Sequence, residues 1–306
     1  MKYIFKEITE CEMCLSNTKD DKVLGQRLNK SQGLRPKKKT GISVSIKKCK
    51  NCGLIYSNPQ PRPFDIQDHY GVPIEDYFQP NYFDWDKSHF SAQIKKVKKL
   101  LFFEKGMNAL DIGCGVGLNM KSLEEAGFKV SGIESSESFY KKALSHMAIK
   151  EDQIKLGMVE EIEYTEKFDF ITFGAVFEHL YHPAKVLEQV SNWLNKDGIV
   201  HIEVPSSRDL TLKIISVYYR LIGTNYVTHL SPMHSPFHLY EFDLDSFKLM
   251  SKRLDFEIED HVFAVGSIFL QRGWRYFPKI LHPLVRWYMY KTNTENVLTI
   301  YLRKIK

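Results

Sequence analysis

Apolar residues recur along this chain in two rhythms, and their order predicts an α/β architecture. From Phe90 to Phe103 they follow the spacing of an amphipathic helix, and Asn108-Ala-Leu-Asp-Ile112 is then a short apolar strand. Helix Leu118 to Ala126, strands Lys129 to Glu134, Ile154 to Met158 and Phe168 to Phe173, helix Pro183 to Leu194 and strand Gly198 to Val204 follow in turn. Such alternation specifies a parallel, doubly wound sheet with helices on its faces. Two later runs, Phe256 to Val265 and Asn296 to Leu302, are the last strands of the pattern.

The N-terminal part reads differently. Ile42-Ser-Val-Ser-Ile46 alternates apolar and polar residues as a hairpin strand does. In Ser57-Asn-Pro-Gln-Pro-Arg-Pro63, three prolines in five positions forbid helix and favour an extended connector. An aromatic segment with Tyr70, Tyr77, Phe78, Tyr82, Phe83 and Trp85 follows. The expected organisation is a small module over 1–56, a linker and aromatic cap over 57–89, and a large domain over 90–306. Acceptor-side insertions are expected near 205–242 and 267–293.

At 306 residues and 43% hydrophobic content the chain can bury one large core with a small module attached. No stretch approaches about 18 uninterrupted apolar residues, and the start carries no apolar secretion signal, so a cytoplasmic protein is expected. The net charge of +6 is unevenly spread. Residues 1–60 hold 13 Lys/Arg against 5 Asp/Glu, and the rest is close to balance. A broad phosphate-tracking surface is therefore not expected, and the basic run Leu34 to Lys39 reads as a solvated loop tip.

Four of the five cysteines form two pairs of identical spacing, Cys11-Glu-Met-Cys14 and Cys49-Lys-Asn-Cys52. Two intervening residues form a turn that brings both sulfurs of a pair to one tetrahedral ion, and Gly53 supplies the permissive backbone such a knuckle needs. A structural zinc ribbon is the expectation, with disulfides the alternative that a reducing compartment disfavours.

Asp111-Ile-Gly-Cys-Gly-Val-Gly117 places glycines at 113, 115 and 117 between a strand and a helix, and Glu134 ends the next strand 17 residues later. The glycines let backbone approach a ligand, and the acid at the second strand can grip the hydroxyls of a ribose. A dinucleotide dehydrogenase would carry Gly-x-Gly-x-x-Gly instead.

These residues resemble motif I and the ribose-binding acid of the class I S-adenosylmethionine (SAM)-dependent methyltransferases, whose Rossmann-like fold matches the element order from about residue 90 to 302. Phe177-Glu-His-Leu-Tyr-His-Pro183 resembles the Glu-His-x-x-x-Pro segment of small-molecule methyltransferases. The resemblance implies SAM as cofactor, bound along Asp111, Gly113, Cys114, Gly115, Gly117, Glu134, Ser135, Phe173, Gly174 and His179. Met158 or Val159 stands where many relatives carry an Asp for the adenine amino group. Cys49-x-x-Cys-Gly-Leu-Ile-Tyr-Ser-Asn-Pro-Gln-Pro61, with Tyr70-Gly71 and Asp76-Tyr77, is similar to zinc-ribbon methyltransferases of sugar and surface-polysaccharide pathways. That likeness implies a nucleotide-linked or glycan sugar as acceptor.

Methyl transfer from a sulfonium to a hydroxyl or carbon acid needs an aligned acceptor and a base. Thr228 to Phe242 holds His229, His234 and His238 beside Tyr240 and Glu241. Pro236 to Phe242 resembles the segment that carries a catalytic histidine in sugar C-methyltransferases, which implies His238 as base; a cap for a helix starting near Asp243 is the alternative. Tyr240, His234 and His179 are further catalytic candidates, and His182 shares with His179 a place near the cofactor loop. The aromatic and basic stretch 268–290 reads as a lid over the domain, or as an element lying on a membrane surface. The competing functions are an RNA methyltransferase that grips phosphates with its basic ribbon and a binding scaffold without chemistry.

Overall fold

The computed structural model describes residues 3–28, 43–70, 84–227, 230–233, 237–265 and 279–305. The basic run 34–39, residues 76–78, Tyr82, Phe83, His229, His234 and the first part of the 268–290 stretch lie outside them.

The large sheet has seven strands. Following β1 (Tyr3–Lys6), β2 (Lys22–Leu28), β3 (Ser43–Lys48), β4 (Ile55–Asn58) and β5 (Gln60–Pro63), its members are β6 (Asn108–Ile112), β7 (Lys129–Glu134), β8 (Ile154–Leu156), β9 (Phe168–Gly174), β10 (Leu194–Pro205), β12 (Phe256–Ala264) and β13 (Val297–Lys304). Their order is β12-β13-β10-β9-β6-β7-β8. Pairing is parallel from β10 to β8, whereas β13 runs antiparallel between β10 and β12, with Val200 opposite Leu302 and Phe256 opposite Lys304. The chain winds outward from β6 in both directions, so the topological switch lies between β6 and β9. In open α/β sheets ligands bind in the crevice outside the carboxyl ends of strands at that point.

Both faces are apolar because β6, β9 and β10 are buried almost throughout. Phe170, Ile171, Phe173, Val200 and Ile202 have no exposed surface, and each such side chain stabilises the fold by about 1.5–3 kcal/mol. Helices α1 (Gln67–Tyr70), α2 (Ser91–Leu101), α3 (Leu118–Glu125), α4 (Glu137–His146), α5 (Pro183–Ser191), α6 (Leu210–Leu221), α7 (Leu244–Arg253) and α8 (His282–Thr292) complete the described helices. The helix expected to reach Leu194 stops at Ser191. Trp193 N–H turns back to the Val190 carbonyl and the Trp193 carbonyl accepts from Phe168 N–H, which delivers Leu194 to β10.

The connector rich in proline is extended, as expected, but it is built into sheets. β5 pairs antiparallel with β1, and β4 lies in a second sheet of order β11-β4-β3-β2. Here β11 is Tyr240–Glu241, with Tyr240 opposite Tyr56 and Glu241 opposite Ile55. The cysteine-bearing module therefore shares a sheet with the segment that carries His238.

Candidate active site

The crevice is lined by the ends of three strands, β6, β7 and β9. At β6, Asp111 is 1% exposed, and neither of its carboxylate oxygens has a hydrogen-bond partner among the described residues. Burial pushes it up to about 8, offset in part by the Asn119 side chain. A buried carboxyl so weakly held is costly, and it leaves acceptor capacity for a ligand.

Gly113, Gly115 and Gly117 all have positive φ, at 66°, 57° and 87°. A Cβ on Gly113 would stand 2.4 Å from Val176, whereas one on Gly115 would meet nothing within 4 Å. The first glycine is thus required for packing, and the second runs along open space that a ligand can enter. Gly117 caps the N-terminus of α3. Cys114 is buried and packs against Gly132 across the sheet.

At the end of β7, Glu134 is 6% exposed and accepts from the Gly115 N–H and the Ser136 N–H, both at 2.7 Å. Burial raises its pKa against the pull of these backbone donors. The carboxylate thereby holds the glycine loop to the second strand and retains lone pairs for further donors. The Ser135 carbonyl accepts from Gln67 Nε2 at 2.9 Å, and Ser136 Oγ donates to the Tyr70 carbonyl at 2.6 Å. The segment before the large domain thus closes over this loop.

Tyr70 then reaches across the crevice, its hydroxyl in hydrogen-bond contact with His179 Nδ1 at 3.1 Å. His179 ends a turn after β9, Phe177–His179. Beside it, Glu178 is 1% exposed, with Oε1 at 4.0 Å from His179 Nε2 and 3.7 Å from His238 Nε2. The two imidazoles stand edge to face at 4.9 Å. Burial pushes Glu178 up to about 8 and His179 down to about 4, so the His179 imidazole is neutral at physiological pH. The Leu239 N–H donates to the Glu178 carbonyl at 2.9 Å, which fixes the His238 segment against this turn. His69 stacks on Phe237 at 4.1 Å and closes the same corner.

The structure brings Asp111, the three glycines, Glu134, Ser135, His179 and His238 to one side of the sheet. The remaining candidates have these surroundings. Phe173 packs in the core against Phe177, Val159 is buried beside Ile162, and Met158 precedes a turn held where Gly157 N–H donates to the Glu134 carbonyl. Gly174, at the end of β9, faces Asn119. The Tyr240 hydroxyl is buried, accepts from Gln60 Nε2 at 2.7 Å and donates to the Tyr181 carbonyl at 3.1 Å. His182 contacts Glu12 of the cysteine module through Nδ1 at 2.9 Å and Arg62 through Nε2 at 3.4 Å. Nor does His238 cap a helix, because Asp243 does so by accepting from Asp245 N–H. Glu178 and Tyr70 were not among the residues expected from sequence, although both stand within quoted motifs.

Cys11, Cys14, Cys49 and Cys52 converge with all four sulfurs within 4.8 Å of one another. Cys11 and Cys52 sulfurs are 3.6 Å apart, and those of Cys14 and Cys49 are 3.7 Å apart. An ion with four tetrahedral sulfur bonds of about 2.3 Å sets its ligands roughly 3.8 Å apart, so the residues fit zinc. Leu15 and Gly53 both have positive φ after the second cysteine of each pair, where Leu15 N–H donates to the Cys11 carbonyl and Gly53 N–H to the Cys49 carbonyl.

Sheet order, glycine loop and the acid ending the second strand are those of a class I methyltransferase fold. Residues 86–261 match the model of a family described as a methyltransferase domain, and the chain belongs to that family. The ubiquinone biosynthesis O-methyltransferase of Glaesserella parasuis serovar 5 (strain SH0165) is 30% identical over 138 residues, which are 42% of this chain and 55% of that protein. The protein of the same name from Caulobacter vibrioides (strain ATCC 19089 / CIP 103742 / CB 15) is 31% identical over 134 residues, covering 42% and 50%. The chain thus spans about half the length of these curated relatives. Among solved structures, coclaurine N-methyltransferase bound to N-methylheliamine and SAH aligns with a TM-score of 0.50 at 16% identity, over 78% of this chain and 81% of that one. A mycolic acid cyclopropane synthase complexed with SAH and CTAB aligns at 0.50 and 17%, over 78% and 97%. At these identities they show the shared fold.

Proposed function

We propose that this enzyme methylates a hydroxyl or ring carbon of a nucleotide-linked or glycan sugar, with His238 as general base and a structural zinc in its cysteine module. The observation that carries the reading is the convergence of His238 and His179 on the buried Glu178 carboxyl, one tyrosine away from the Glu134 loop. SAM supplies an electrophilic methyl group when bound. Asp111 would face a cationic part of it, and Glu134 its ribose.

A sugar hydroxyl is a weak acid, so its proton must leave as the oxygen attacks. His238 takes that proton, and the imidazolium so formed faces Glu178 at 3.7 Å in a site sheltered from water; when Glu178 is ionised, its charge stabilises the imidazolium there far more than it would in solvent. Tyr70 fixes the orientation of His179, which stands edge-on to His238 and limits the rotation of its ring. The relatives named for ubiquinone biosynthesis support methylation of a small-molecule oxygen. The test is to incubate the chain with SAM and a panel of nucleotide sugars, glycans and phenols, and to read product masses. A sugar heavier by one CH2 is expected; turnover confined to phenols or to RNA would overturn the acceptor.

A further inference from the structure

Two helices carry apolar side chains outward. On α6, Ile214, Val217, Tyr218, Leu221 and Ile222 repeat at the spacing of one helical face and all are exposed, Leu221 at 81%. The helix already buries Thr211 and Tyr219 on its inner side. On α8, Leu284, Trp287 and Tyr288 are exposed at the same spacing, Trp287 at 57%, with Leu281 and Tyr290 beside them, while Met289 is buried. The first residue of α6 is tied to the chain just beyond α8, where Leu210 N–H donates to the Thr294 carbonyl at 3.1 Å. Among the described residues, α8 thus leaves most of its large apolar side chains exposed. Soluble monomers seldom leave such surface uncovered unless something binds it.

Charge identifies the occupant. Neither Leu210–Leu221 nor His282–Thr292 contains an acidic residue, whereas Lys213, Arg220, Arg286 and Lys291 are exposed on them. Tryptophan and tyrosine with an apolar body and a polar edge, fringed by cations, suit the headgroup level of a bilayer. A twofold contact with a second copy would instead set the same cations against one another. At 12 and 11 residues, both helices fall short of the roughly 20 needed to span a membrane, and no described helix is long and apolar enough to cross one. We propose that α6 and α8 seat the enzyme on the surface of an anionic bilayer, with Leu221 and Trp287 entering the headgroup layer and the four cations meeting lipid phosphates.

The test is co-sedimentation of the full chain with vesicles of phosphatidylcholine alone or of equal parts phosphatidylcholine and phosphatidylglycerol. Binding to the mixed vesicles only is expected, weakening as salt rises. Leu221→Glu and Trp287→Glu should each lower the partition coefficient by about tenfold, and Arg286→Ala with Lys291→Ala should flatten the salt dependence. All variants should keep SAM affinity, which shows that the fold is intact. Absence of wild-type binding to mixed vesicles, or equal binding by both glutamate variants with SAM affinity retained, would overturn the proposal. So would a wild-type dimer that Leu221→Glu dissociates, because that result gives the face to a second copy.

Discussion

His238→Ala should lower the turnover rate by about 10²–10⁴-fold, the usual contribution of a general base, while SAM affinity stays near that of wild type. The split follows from geometry. His238 faces Glu178 and His179 beyond β9, whereas Asp111, the glycine loop and Glu134 lie at the ends of β6 and β7. A pH profile adds a second readout. Glu178 holds its proton up to about 8 because burial disfavours the carboxylate, so its charged form grows in as pH rises. The kcat/KM of wild type should therefore climb through pH 7 to 8, and Glu178→Gln should flatten the climb. The native state keeps a proton that the unfolded chain releases near 4.5, so this group makes stability fall as pH rises from 4.5 to about 8. An unchanged turnover in a folded His238→Ala enzyme would return the residue to a structural role.

Metal loss should have the other large effect. Purified without added zinc, the chain should carry one ion, held by Cys11, Cys14, Cys49 and Cys52. Such sites contribute about 10–16 kcal/mol of apparent binding free energy at pH 7 in small zinc domains, and that energy is folding energy. Because β11 pairs with β4, collapse of the module would release the strand that follows His238. Cys49→Ser should lose the ion, lower the melting temperature and abolish turnover, yet leave SAM binding largely in place, since Asp111 to Glu134 belong to the other sheet. Metal analysis near zero in wild type, with four free thiols, would contradict this.

The parts legible in the sequence were those fixed by local spacing. The strand, glycine loop and helix from Asn108 to Glu125 are encoded consecutively, and the acid of the next strand, Glu134, falls where a short crossover returns it. The cysteine pairs are likewise local turns, and their identical spacing points to the single cluster in which the four sulfurs meet. What stayed hidden depends on contacts far apart along the chain. β11 is two residues long and has no periodicity, and it is a strand only because Tyr56 and Ile55 offer an edge. Tyr70 acquires its place through Ser136 and His179, 66 and 109 residues away. Glu178 looked like a motif neighbour of His179, and its burial between two imidazoles needs the Leu239 contact to exist. Leu194 fits either a helix or a strand by pattern, and the Trp193 turn decides it.

Calorimetric titration of the full chain with SAM decides whether the crevice outside β6, β7 and β9 is a SAM site. The expected result is one site per chain, no heat from NAD, and binding weaker by about 1–3 kcal/mol in Glu134→Ala through loss of charge-assisted hydrogen bonds to the ribose. Absence of SAM binding, or tighter binding of NAD, would contradict it.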